Sequence, residues 1–169
     1  MKNQEIEKIV FEIIDESMGW KANEVQLGDH PDVTCKIKEQ RVAIELTEVL
    51  DSSGDPKEIV ASKKGLEQET RMFDQDYFVK KICGSLKRKV FKDYSVPGHE
   101  IWLICYANHI SLEGIEVFLS KSEIRSVIWQ SFLKYQKNIE RVIVFDLNTK
   151  KLIVEAIKKT IQSSTGFND

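Results

Sequence analysis

The sequence has few of the residues that mark fibrous, disulfide-rich or membrane-spanning proteins. Three prolines and eight glycines in 169 residues exclude collagen-like and linker-like chains. The three cysteines, Cys35, Cys83 and Cys105, are an odd, scattered set without a CxxC pair, so we expect reduced thiols. No apolar run approaches the ~20 residues of a membrane span, and the first residues lack the pattern of a signal peptide. We therefore expect a cytoplasmic protein.

An excess of one charge is also missing, because 25 Lys and Arg stand against 27 Asp and Glu. This balance excludes a protein that binds nucleic acid through its overall charge, so contact with phosphates would need a local basic patch. An amphipathic helix predicted over residues 78–94 has a basic face that could provide one. The candidate phosphate-contacting residues are Lys80, Lys81, Lys87, Arg88, Lys89 and Lys92. A solvated basic face without a ligand is the alternative interpretation of the same pattern.

The apolar content of 41% and two kinds of periodicity are typical of an α/β domain. The length indicates a single domain over residues 1–160, followed by a disordered tail, 161–169. Helices are predicted over 3–18, 57–71, 78–94 and 122–136, and strands over 24–27, 33–38, 41–49, 100–107, 141–146 and 151–156. In the first helix, Ile6, Ile9, Val10, Ile13 and Ile14 are expected to face inward. This order predicts a mixed central sheet flanked by helices.

Two acidic residues lie at strand positions where packing of the sheet does not require a carboxylate. Asp32 opens the second strand, and Glu45 lies in the third, on the face opposite Ile44 and Leu46. A hairpin of this length brings the two carboxylates near each other. Burying a charge costs roughly several kcal/mol unless the charge is paired or binds a metal, and a hard divalent cation suits oxygen ligands. The pair therefore predicts a site for a hard divalent cation.

These features resemble the PD-(D/E)XK nuclease superfamily, whose core has the order α-β-β-β-α-β. In that pattern an Asp ends or opens one strand, and an acidic-X-Lys triplet lies in the next. Pro31-Asp32 matches the first part, and Glu45-Leu46-Thr47 matches the second, with Thr47 where lysine is expected. The element order from residue 3 to residue 107 also agrees, so the resemblance implies a restriction-endonuclease-like fold with a C-terminal α-β-β extension.

The resemblance implies a metal-dependent endonuclease acting on DNA, less readily on RNA, in phage defence, restriction or repair. It also implies a homodimer or a subunit of a larger assembly. Asp32, Glu45 and the Leu46 carbonyl would hold Mg²⁺ or Mn²⁺, and Thr47 would stand at the catalytic position of the family lysine. Glu7 is the candidate for the first-helix carboxylate that some members add.

Other assignments remain open at this point. Lys63 or Lys64 could supply a displaced ammonium group, although two solvated lysines are the simpler interpretation. His30 adjoins Asp32 and could contact water or phosphate at the site, or have no such role. Without the family lysine, the chain could be an inactive module of the same fold that binds nucleic acid or a partner protein. Asp32 and Glu45 could also be structural, as a turn cap and the partner of a lysine.

Overall fold

The computed structural model describes residues 3–49, 94–108 and 139–158. They form one helix and one six-stranded mixed sheet, which confirms the expected α/β class. The elements are α1 (Asn3–Met18), β1 (Asn23–Leu27), β2 (Val33–Ile37), β3 (Gln40–Glu48), β4 (Glu100–Ala107), β5 (Ile139–Asp146) and β6 (Lys151–Ile157). Each strand begins and ends within two residues of its predicted bounds. Outside the described residues lie the helices predicted over 57–71 and 122–136 and the predicted tail, 161–169. The helix predicted over 78–94 also lies outside them except for its last residue, Tyr94, which is described and is not helical.

The strands follow one another across the sheet in chain order. The neighbours β1–β2, β2–β3 and β5–β6 are antiparallel, while β3–β4 and β4–β5 are parallel. Three parallel strands therefore form the centre, and an antiparallel neighbour flanks them on each side. Strand β4 is buried along nearly its whole length, which explains its almost continuous apolar sequence. No helix within the described part of the chain is long and apolar enough to cross a membrane.

Helix α1 packs on one face of the sheet through a narrower stripe than the sequence predicts. Val10, Phe11 and Ile14 are buried against the sheet, whereas Ile6 and Ile9 are 39% and 47% exposed. The prediction that Ile6 and Ile9 face inward is therefore wrong. Apolar residues at three- and four-residue spacing fit several rotations of a helix about its axis. Phe11, the largest apolar side chain of the helix, lies in the buried stripe, although the spacing of the isoleucines does not indicate it.

The opposite face of the sheet carries the second core cluster and the residues of the candidate site. Ala43 from β3 and Val49, just after that strand, pack there with Leu103 and Cys105 from β4. Because side chains alternate along a strand, the odd-numbered residues of β3 project to this face. Glu45 therefore projects to the face opposite α1, and it is fully buried.

Candidate metal centre

The β2–β3 hairpin places two carboxylates opposite each other. Its antiparallel register pairs Val33 with Ile44 and continues through the hairpin. Asp32 immediately precedes β2, so the same register brings it opposite Glu45. Asp32 is 4% exposed and Glu45 is fully buried. The site therefore begins as two buried acidic side chains on neighbouring strands.

The turn before β2 is closed tightly around Asp32. The Gly28 N–H donates a hydrogen bond to the Asp32 carbonyl at 3.0 Å. A Cβ at Gly28 would lie 2.8 Å from the Pro31 carbonyl oxygen, so this position has no room for a side chain. The turn leaves the His30 side chain 53% exposed beside the buried carboxylates.

His30, Asp32 and Glu45 each offer one ligand atom, and these atoms all lie within 4.8 Å of one another. The His30 Nδ1 is 3.7 Å from the Glu45 Oε1. Two carboxylates and one imidazole form a donor set that fits a divalent cation of the first transition row, and the carboxylates alone also suit Mg²⁺. These three residues could therefore hold a metal ion.

The backbone of β3 fixes the Asp32 side chain. The Leu46 N–H donates a hydrogen bond to the Asp32 Oδ2 at 2.6 Å. Such a short bond to a charged acceptor restricts rotation of the carboxylate. Leu46 was predicted to take part through its carbonyl; in the structure its N–H orients Asp32. Its side chain packs in the cluster beneath α1.

Thr47 and Glu7 lie outside the group of three. Thr47 is buried two residues after Glu45, so it projects to the same face of β3 and supplies a hydroxyl rather than a charge. Glu7 is half-buried on α1. Burial raises the pKa of Tyr106 to about 12, and the nearby charges of Glu48, Glu7 and Asp32 add to that shift. The Glu7 carboxylate is thus close to Tyr106, which packs on the α1 face of the sheet.

Tyr94 is a residue that sequence reasoning missed. Its side chain is 5% exposed and lies on the Glu45 face of the sheet. Burial raises the pKa of the Tyr94 hydroxyl, and the negative charges of Glu45 and Asp32 raise it further. Tyr94 is 49 residues away from Glu45 in sequence, and no motif or periodicity links the two positions.

A third buried carboxylate among the described residues, Asp146, illustrates how a structural acidic residue looks in this fold. It ends β5 and accepts hydrogen bonds from the N–H groups of Asn148 and Thr149 at 2.9 and 3.3 Å. These bonds cap the turn between β5 and β6, which accounts for its burial. Asp32 and Glu45 differ because they face each other and an imidazole.

Other predicted site residues lie outside the part of the chain that the structure describes. The six basic residues of the predicted phosphate-contacting helix and the two lysines at 63 and 64 lie outside the described residues. Among residues 3–49, 94–108 and 139–158, the His30 group is the one cluster of three or more potential metal ligands. Comparisons of the chain with protein-family models, with curated proteins and with solved structures find no match.

Proposed function

We propose that this chain is a divalent-metal-dependent nuclease of the PD-(D/E)XK type that hydrolyses phosphodiester bonds in DNA. The observation that carries the proposal is the grouping of His30, Asp32 and Glu45 beside one another on the β2–β3 hairpin. The order of α1 and the first four strands and the match of Pro31-Asp32 and Glu45-Leu46-Thr47 to the family motif support it.

The energetics of the two carboxylates support a bound cation. At an effective dielectric constant of about 20, two unit charges within 4.8 Å of each other repel by at least about 3.5 kcal/mol. A fold that retains two facing acidic groups carries this cost whenever both are ionised. A divalent cation between them turns the repulsion into attraction. The group therefore suits cation binding better than it suits a purely structural role.

Each residue of the group has a distinct part in the proposed site. Asp32 and Glu45 would hold Mg²⁺ or Mn²⁺ with His30 as the third ligand. When bound, the cation would supply Lewis acidity that activates water and neutralises charge on the phosphate. The Leu46 N–H holds the Asp32 carboxylate in one orientation. Thr47 could donate a hydrogen bond near the reacting phosphate, but it cannot supply the positive charge of the family lysine.

The proposed substrate is held through its backbone. The basic residues of the segment 78–92 would contact phosphates without reading sequence. Cutting both strands of a duplex usually takes two active sites, so the proposal favours a homodimer or a larger assembly. The phosphate contacts are inferred from the charge pattern, and the assembly is inferred from the family resemblance.

Cleavage of defined substrates tests the proposal. Linear and circular double-stranded DNA, single-stranded DNA and RNA are incubated with Mn²⁺, with Mg²⁺ or with EDTA. We expect wild-type cleavage that requires metal and disappears in Glu45→Gln. Glu39→Gln is the matched control, because it makes the same change at the exposed end of the same hairpin. Equal cleavage by wild type and Glu45→Gln would assign the activity to another site or to a contaminant.

Thr47 favours a second candidate, an inactive module of the same fold that binds nucleic acid or a protein partner. The lysine position of the motif carries a buried, uncharged side chain. This candidate predicts metal binding without cleavage of any of the four substrates. Binding to DNA that weakens steeply with salt would identify nucleic acid as the partner. Absence of DNA binding would direct attention to a protein.

A further inference from the structure

Tyr94 reaches the candidate metal centre from outside the hairpin that builds it. It lies in the segment before β4 and packs in one cluster with Ala43 and Leu103. Ala43 is two residues before Glu45 on the same face of β3, and Leu103 is the register partner of Glu45 on β4. The tyrosine side chain is therefore packed among the immediate neighbours of Glu45.

The Tyr94 hydroxyl is a buried polar group that the core does not satisfy. Among the described residues no acceptor lies in good hydrogen-bond geometry, but a hydrogen bond to Glu45 contributes to the raised pKa of this hydroxyl. A buried donor left in this way costs about 1–3 kcal/mol. A phenylalanine would fill nearly the same volume without that cost. The hydroxyl is therefore better explained by a ligand-dependent role than by packing.

The two oxygens of the Glu45 carboxylate have different surroundings. Its Oε1 lies toward His30, whereas its Oε2 is enclosed within the protein. A donor from the interior can bind one oxygen and leave the other to a cation. Hydrogen bonds of this kind to metal-ligating carboxylates fix their orientation and raise metal affinity.

We propose that Tyr94 is a positioning residue of the metal centre, whose hydroxyl donates a hydrogen bond to Glu45 and turns the carboxylate toward the cation. The inference rests on the metal site of the proposed function. It adds a residue that the family motif does not contain. The proton stays on the phenol throughout, so the role requires no proton transfer.

The test is the affinity of the full chain for Mn²⁺, measured by electron paramagnetic resonance of free Mn²⁺ and by calorimetry. We expect Tyr94→Phe to bind Mn²⁺ about 10–100-fold more weakly than wild type. A cooperative melting transition in EDTA will show that the variant is folded, so that a loss of affinity is not a loss of structure. Tyr106→Phe is the matched control, since Tyr106 is a buried tyrosine on the opposite face of the sheet. It should change the affinity by less than about twofold.

Wild-type affinity in Tyr94→Phe would overturn the inference, as would an equal loss in Tyr106→Phe. The test does not depend on catalysis, so its failure is distinguishable from failure of the nuclease proposal. Weakened Mn²⁺ binding in Tyr94→Phe together with an inert wild type would support the positioning role and contradict the nuclease. A wild-type chain that binds no Mn²⁺ would overturn the inference together with the metal site.

Discussion

Replacing Glu45 by Gln should make the metal-free protein more stable. The change keeps the shape of a fully buried side chain and removes one of two facing charges. The repulsion between unit charges 4.8 Å apart lies between about 0.9 kcal/mol in water and about 3.5 kcal/mol at an effective dielectric constant of 20. We expect a gain between these limits, of about 2 kcal/mol. For a chain of this length, that gain corresponds to an increase of about 4–8 °C in melting temperature.

The assay is thermal unfolding at pH 7, in EDTA and in saturating Mn²⁺. In EDTA, Glu45→Gln should melt above wild type. Metal at 100 times its dissociation constant adds about 2.7 kcal/mol to a protein that binds it, so wild type should gain stability while the variant does not. The difference between the two melting temperatures should therefore become smaller or change sign when Mn²⁺ is added.

Asp146→Asn is the matched control for a buried acidic side chain. The Asp146 carboxylate accepts hydrogen bonds from turn N–H groups, and such bonds to a charged group are worth about 1.5–3 kcal/mol each. We expect this variant to lose stability equally in EDTA and in Mn²⁺. If Glu45→Gln behaves in the same way, the Glu45 carboxylate is satisfied by the protein itself. The reasoning for a cation site would then be refuted in favour of a structural role.

The remaining predictions concern the ligand set, the turn, the helix and a buried thiol. His30→Ala should weaken Mn²⁺ binding more than Mg²⁺ binding, because imidazole favours the transition metal; calorimetry that shows equal losses would remove His30 from the ligand set. Gly28→Ala should lower Mn²⁺ affinity and cost about 1–3 kcal/mol in denaturant unfolding, because its Cβ would meet the Pro31 carbonyl; unchanged affinity would separate the turn from the site. Ile14→Ala should cost about 2–5 kcal/mol and the exposed Ile9→Ala less than about 1 kcal/mol; equal costs would contradict the observed helix face. Burial, and next the charge of Asp15, raise the pKa of Cys35 to about 12 from 9.0. The stability that this shift contributes is complete below pH 9 and is lost as the pH rises toward 12. Between pH 8 and pH 11, wild type should therefore lose about 2 kcal/mol more stability than Cys35→Ala loses. Parallel alkaline profiles would contradict that prediction.

Local patterns predict the sheet well because each strand carries its own signal. The alternation in residues 33–37 and 40–48 identifies a hairpin, and the apolar run of β4 identifies a strand covered on both faces. The same register accounts for the position of Asp32 opposite Glu45. These features depend on neighbours in sequence, and sequence spacing reports them directly.

Features that depend on packing between distant segments are harder to predict. The rotation of α1 is decided by the sheet surface beneath it, so the exposed positions of Ile6 and Ile9 cannot be obtained from helical periodicity alone. Tyr94 joins the site because the segment before β4 packs on the Glu45 face of the sheet. Asp146 is as fully buried as Glu45, yet its partners lie two and three residues away in a turn. Burial alone therefore does not separate a structural acidic residue from a candidate ligand.

Anomalous diffraction from a crystal of the full chain soaked in Mn²⁺, recorded at the manganese absorption edge, tests the central claim most directly. We expect an anomalous peak between the Asp32 and Glu45 carboxylates, with a nitrogen of His30 within coordination distance. The same crystal without Mn²⁺ should lack the peak, and a crystal of Glu45→Gln should lose it or show it at much lower occupancy. A wild-type crystal with no peak between these carboxylates, or with manganese bound only elsewhere, would contradict the account.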